Sequence, residues 1–228
     1  MSTDAGLPEW LEPLLTAVDG IDAGALMPQA GAAPQTARRS AVLVLFGEGP
    51  SGPDLLLIER SAHLRSHAGQ PAFPGGGIDP GDDGPVGAAL REAHEETGLD
   101  PAGVDVLRVL PELWVPPSAN AVTPVLAWWR EPSEVAPDER EVAAVVRVPI
   151  AALVDPANRL QIRHPSGLVA PAFEVADMLV WGFTAGVLAR LLAVAGWERD
   201  WDRSRVEDLP DEMLRLALRS RRIASGEA

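Results

Sequence analysis

The chain has 228 residues, 46% of them hydrophobic and 23% charged, which suits one soluble globular domain with length enough to bury a core. It has no cysteine, no tyrosine and no lysine, which excludes disulfides, thiolate chemistry, a P-loop lysine and a Schiff base. The formal net charge of −14 argues against binding nucleic acid or an anionic membrane, yet a small anion is admissible where arginines and a divalent cation receive it.

The N-terminal stretch is acidic and lacks a basic region followed by an apolar one, so no secretory signal is expected and a cytoplasmic location is. Residues 1–37 read as an extension and linker, with "PEWLEPLLTAVD" as a short amphipathic helix. "AVLVLFG" (41–47) and "DLLLIER" (54–60) predict two strands joined by the turn "EGPSGP". The glycine- and proline-rich loop "SHAGQPAFPGGGIDPGDDG" then leads to a helix opening at Pro85 and stopped by Gly98, with Asp82 or Asp83 near its cap. Val86, Leu90, Ala93 and Thr97 line its predicted core side, and Glu92, Glu95 and Glu96 a separate carboxylate side.

Beyond it, strands are predicted at "VDVLRVL", "ELWVP", "VTPVLAWW" and "EVAAVVRVPI", a buried helix at "MLVWGFTAGVLARLLAVAG" and a C-terminal helix at "LPDEMLRLALRSRRIA". Strands interleaved with a few helices predict an α/β or α+β domain built on a mixed sheet. Three glutamates within five residues taken alone are more often a solvated acidic face. The glycine-rich loop and the arginine beside them favour a site for a hard divalent cation instead, Mg2+ or Mn2+, which takes carboxylate oxygens and substrate phosphates as ligands. A calcium-binding EF-hand loop fails on spacing, with Gly81 at its third position and Leu90 at its twelfth. His63 and His67 stand four apart without an evident third ligand, so zinc is not expected.

"GIDPGDDGPVGAALREAHEETGL" (77–99) resembles the Nudix box: Gly, five residues, Glu, seven residues, then Arg-Glu-aliphatic-x-Glu-Glu-x-Gly-aliphatic. Gly77, Arg91, Glu92, Glu95, Glu96, Gly98 and Leu99 match, Ala93 is a small residue at an aliphatic position, and Asp83 replaces the first glutamate. The resemblance implies an α/β/α sandwich in which Glu92 and Glu96 hold the metal. It makes Glu95 a further ligand or the base, and the Gly76 carbonyl an added ligand. Asp83 is expected to orient Arg91 by direct contact.

"LLIERSAHLRSHAGQPAFPGG" (56–76) is similar to the signature of coenzyme A pyrophosphatases, matching at Arg60, Ser61, Arg65, Gly69, Phe73, Pro74, Gly75 and Gly76, with Ile58 where threonine is usual. By that resemblance Arg60, Ser61, Arg65, Phe73 and Gly75 are candidate contacts to coenzyme A, whose phosphates suit arginine. "VWGFTAGVLARL" and "REVAAVVRVPI" also resemble this subfamily; Glu141 is then a candidate accessory base, and Ala144 replaces a second acid. Trp114 is a candidate platform for adenine.

The resemblance spans residues 38–195 as the hydrolase domain, leaving 196–228 as a helical tail packed on it. It implies hydrolysis of coenzyme A or acyl-coenzyme A, with relatives that often pair making a homodimer a possible assembly. The rivals are Nudix hydrolysis of ADP-ribose, NADH or a nucleoside triphosphate, and a non-catalytic nucleotide sensor.

Overall fold

A computed structural model describes residues 6–28, 31–61, 69–116 and 119–215. The N-terminal segment forms a short 3-10 turn (Glu9–Leu11) that runs into α1 (Glu12–Val18), followed by the one-turn α2 (Ala23–Leu26), which Asp22 caps by accepting from the Ala25 amide. Leu11, Leu14 and Val18 are spaced to face one way and are buried in the main core. Trp10 meets Phe46, Trp128 and Trp197 there, with ring centroids 5.6–6.2 Å apart.

β1 (Arg38–Gly49) alternates as a strand buried on both sides must. Leu43 and Leu45 enter one core cluster, while Val44 and Phe46 enter the other. β2 (Gly52–Arg60) returns antiparallel to it, and the turn places Gly52 at φ +95°, a conformation that glycine adopts without strain. β3 (Pro71–Ala72) extends the sheet beyond β2, and β4 (Gly75–Gly77) pairs with the first half of β1, Ala41 opposite Gly76. α3 (Gly84–Thr97) then crosses one face of the sheet.

β5 (Val104–Val109) and β6 (Leu113–Val115) both pair antiparallel with β7 (Asn120–Trp129), which itself runs parallel to β1. Its sequence is nearly all apolar because both its faces are covered. β8 (Val142–Pro149) pairs with β2, and the register slips between Glu59 and Arg60. Among the described residues these strands form one eight-stranded mixed sheet with the backbone order β3-β2-β1-β7-β5. α3 covers one face through Ala88, Ala89 and Ala93, against Leu43, Leu45, Val125 and Ala127. Three alanines let the helix axis approach the sheet closely, which accounts for the small residue at position 93. α1 and α5 cover the opposite face, giving the mixed α+β layering expected.

After the single turn α4 (Ile150–Leu153) comes a feature not predicted. β9 (Arg159–Arg163), β10 (Val169–Val175), β11 (Met178–Val180) and β12 (Val206–Asp208) form a second, four-stranded sheet. The helix predicted from Met178 is therefore corrected. Its first three residues pair with β10, Val180 opposite Phe173, and α5 (Gly182–Val194) begins only at Gly182, which turns the chain at φ +65°. Apolar content alone did not separate the short strand from the helix behind it. The chain is helical again at 211–215, Leu209 and Pro210 standing before the helix, and the predicted continuation from 216 lies outside the described residues. Among the described residues no helix is long and apolar enough to cross a membrane.

Candidate functional site

The loop before α3 is shaped by its own acids: the Asp79 amide donates to Asp82 Oδ2 at 2.7 Å, and the Asp82 amide donates to the Asp79 carbonyl at 3.0 Å. Gly84 adopts φ +60°, Pro85 sits in the first turn of the helix, and Gly98 closes α3 in the left-handed conformation, its amide donating to the His94 carbonyl at 2.8 Å. These ends fix the rotation of α3 and so decide where each glutamate points.

Arg91 gathers the outer edge of the helix. Its guanidinium donates to both oxygens of Asp82 at 2.9 and 3.0 Å, to Glu92 Oε1 at 3.0 Å, to Glu95 Oε2 at 3.2 Å and to the Gly77 carbonyl at 3.0 Å. The expected Asp83–Arg91 contact is thus corrected to Asp82. Asp83 occupies the position before the helix and its side chain makes no capping hydrogen bond. The turn closed by Asp79 aims the neighbouring carboxylate at the arginine, a choice made by backbone direction over one residue.

The inner edge is built differently. Glu96 is 2% exposed, and its two oxygens accept from Arg60 Nη1 and from the Gly75 amide, each at 2.9 Å. Gly75 takes φ +154° with its α-carbon pressed against β1, where an added Cβ would lie 2.3 Å from the Ala41 carbonyl. Gly76 has no room for a side chain either, since a Cβ there would lie 2.4 Å from the Glu92 carboxyl carbon. The glycines of β4 therefore bring bare backbone up to the carboxylates of α3.

Electrostatics separate the two edges. Burial pushes the Glu96 carboxyl up to about 7; Arg60 and the Gly75 amide oppose this, while Glu92 and Glu141 add to it. Burial also raises Glu92, opposed by Arg91 and reinforced by Glu95 and Glu141. Asp82, by contrast, is held below the usual carboxylate range by its hydrogen bond from Arg91. An open cleft of about 370 Å³ lies alongside, lined by Glu92, Glu95, Glu96, Asp138, Arg140 and Glu141.

The structure brings together Glu92, Glu95, Glu96 and Glu141, with Gly75 and Gly76 behind them, but not every candidate. Phe73 is 1% exposed inside the main core, so its ring packs against apolar neighbours and offers no face to a ligand. Arg60 is directed at Glu96. Ser61 is buried, its amide donating to the Glu141 carbonyl at 2.9 Å. Trp114 lies in β6 opposite Ala121 and is not among the residues lining the cleft. Arg65, His63 and His67 lie outside the described residues. Asp138 and Arg140 were missed. Their sole signal was the charged run "PDERE", which reads as a solvated loop.

Among the described residues no three acids or imidazoles converge on one point as they stand, because Arg91 and Arg60 hold the glutamates. The donor set nevertheless fits a hard divalent cation. Its side-chain donors are all carboxylate oxygens, they line one cleft, and two of them have raised pKa values because nearby positive charge does not offset burial.

A NUDIX domain family model matches residues 36–168. An uncharacterized Nudix hydrolase, NudL, of Shigella flexneri serotype 5b (strain 8401) is 37% identical over 178 residues, covering 75% of this chain and 90% of that protein. NudL of Escherichia coli (strain K12) is 36% identical over the same length and shares. The crystal structure of RenU, a Nudix hydrolase from M. smegmatis, covers 73% of this chain and 91% of its own at a TM-score of 0.50 and 24% identity, a likeness of fold. With more than half the chain matched by the family and NudL covered nearly end to end, this protein belongs to the Nudix hydrolase family, whose members generally need a divalent cation such as Mg2+ or Mn2+.

Proposed function

We propose that this chain hydrolyses the diphosphate of coenzyme A or an acyl-coenzyme A, giving 4′-phosphopantetheine or its acyl form and adenosine 3′,5′-bisphosphate. The observation that carries the reading is the meeting of two motifs on one carboxylate, where Arg60 and Gly75 of the upstream stretch both hold Glu96 of the box. That stretch is part of the site, so its similarity to the coenzyme A pyrophosphatase signature bears on what the site accepts.

Glu92, Glu96 and Glu95, with the Gly76 carbonyl, are the groups that would hold Mg2+ or Mn2+. Bound there, the cation supplies Lewis acidity toward a phosphoryl oxygen and lowers the pKa of water. The chain's own residues do the rest. Glu95, with an exposed side chain, is either a further ligand or the base that takes a proton from the attacking water, and Glu141 across the cleft is the accessory base. Arg91 orients Glu92 and Glu95, and takes its own direction from Asp82 in the part first given to Asp83. Arg60 acts through Glu96, and Ser61, Arg65 and Gly75 complete the proposed substrate-binding stretch. The water oxygen bonds to phosphorus as the bridging P–O bond breaks, and the departing phosphate keeps the electron pair.

The test is a mass-spectrometric product screen with Mg2+ or Mn2+ over coenzyme A, acetyl-coenzyme A, ADP-ribose, NADH and nucleoside triphosphates. The expected outcome is fastest loss of a coenzyme A species with the two products named. Faster hydrolysis of ADP-ribose overturns the substrate. Binding by calorimetry with no cleavage of any diphosphate would make the protein a sensor.

A further inference from the structure

The lining of the cleft poses a charge problem for a phosphate ester. Five of its six side chains are acids, and Arg140 is the one cation among the described residues that line it. Two guanidiniums behind the lining are already paired with its acids or their neighbours, Arg60 with Glu96 and Arg91 with Asp82, Glu92 and Glu95. The whole chain carries −14, so no long-range attraction compensates.

Arg140 is also placed for the task. Its loop is fastened to the end of α3, the Asp138 amide donating to the Glu96 carbonyl at 3.0 Å and the Ala136 amide to the Thr97 carbonyl at 2.9 Å. The Glu141 and Val142 amides both return to the Asp138 carbonyl, so the backbone at Arg140 is held opposite the glutamates. The side chain itself is 88% exposed and rests on Asp138, Nε at 3.0 Å from Oδ1 and Nη2 at 2.6 Å from Oδ2. An exposed ion pair contributes little, so leaving Asp138 costs little. A phosphate offers the same bidentate geometry with more charge.

We propose that Arg140 is a substrate-binding residue that takes a phosphate of the substrate, exchanging Asp138 for it as the cleft fills. This rests on the reading that the cleft takes a nucleoside diphosphate derivative. The test is steady-state kinetics of Arg140→Ala and Arg140→Lys on the substrate that the wild-type protein turns over fastest, with Mn2+ affinity titrated directly in each. Arg140→Ala is expected to raise KM about ten- to one-hundred-fold, with a smaller loss in kcat. Arg140→Lys recovers part of the KM, and Mn2+ affinity is the same in all three proteins.

An unchanged KM, or a loss confined to kcat, overturns the assignment while leaving the hydrolase reading intact. A parallel fall in Mn2+ affinity also overturns it, because Arg140 then acts through the carboxylates. If the wild-type protein cleaves no diphosphate at all, the proposal falls together with the function it rests on.

Discussion

The two edges of α3 carry the same chemistry, arginine against carboxylate, in opposite surroundings. On the outer edge a partly exposed Arg91 shares its donors among a covered Asp82, a largely covered Glu92 and an exposed Glu95, and Asp82 is stabilised as an anion. On the inner edge Arg60 meets Glu96 beneath the helix, where loss of hydration, the largest influence, and the neighbouring Glu92 and Glu141 raise the carboxyl despite the arginine and the Gly75 amide. The outer group orients side chains at little cost. The inner group stores unfavourable charge that a cation can relieve.

That contrast is broken most severely by Glu96→Gln. We expect turnover to fall at least about a thousand-fold, since the ligand charge is lost, while the metal-free protein at pH 8 melts no lower than wild type. Near wild-type turnover in product assays would remove Glu96 from the metal site.

Arg60→Ala is expected to have the next largest effect, now on stability. It strands a buried carboxylate, which costs about 3–5 kcal/mol in urea titration at pH 8. The unfolded carboxyl titrates near 4.5 and the metal-free folded one at about 7. The fold therefore binds that proton more tightly, and the resulting stability is fully present below about 4.5 and lost as pH rises through about 7. The penalty of Arg60→Ala should accordingly shrink at pH 5, and an equal loss at both pH values would show that Arg60 matters for packing alone. Saturating Mg2+ should flatten the pH dependence of the wild-type protein.

The smallest effect sharpens the outer edge. Asp82→Asn should lower turnover roughly five-fold by loosening Arg91, while Asp83→Asn stays at the wild-type rate. The reverse ranking would return the orienting role to Asp83.

Much of this frame was legible along the chain. The apolar run "AVLVLFG" marked the strand β1, and Pro85 and Gly98 bounded α3 to within a residue, because both signals are local. The box spacing identified the three glutamates. It did not reveal that Glu95 faces solvent while Glu96 is buried, although they are adjacent, since burial depends on β4 lying beneath the helix. Phe73 misled for the same reason. Its motif marked a site, but its ring points into the core. The second sheet escaped because its strands are short, and β12 reaches β9 from more than forty residues away.

What the sequence determined by itself was therefore periodicity, helix ends and the identity of the acids, each fixed by neighbours a few residues apart. The tertiary structure alone decided which aspartate holds Arg91, that Arg60 holds Glu96, and that Arg140 joins the wall of the cleft. Those outcomes depend on strand pairing, on the register slip at Glu59–Arg60 and on loop docking to α3. Such contacts join distant segments, and no local pattern encodes the direction in which one side chain meets another across them.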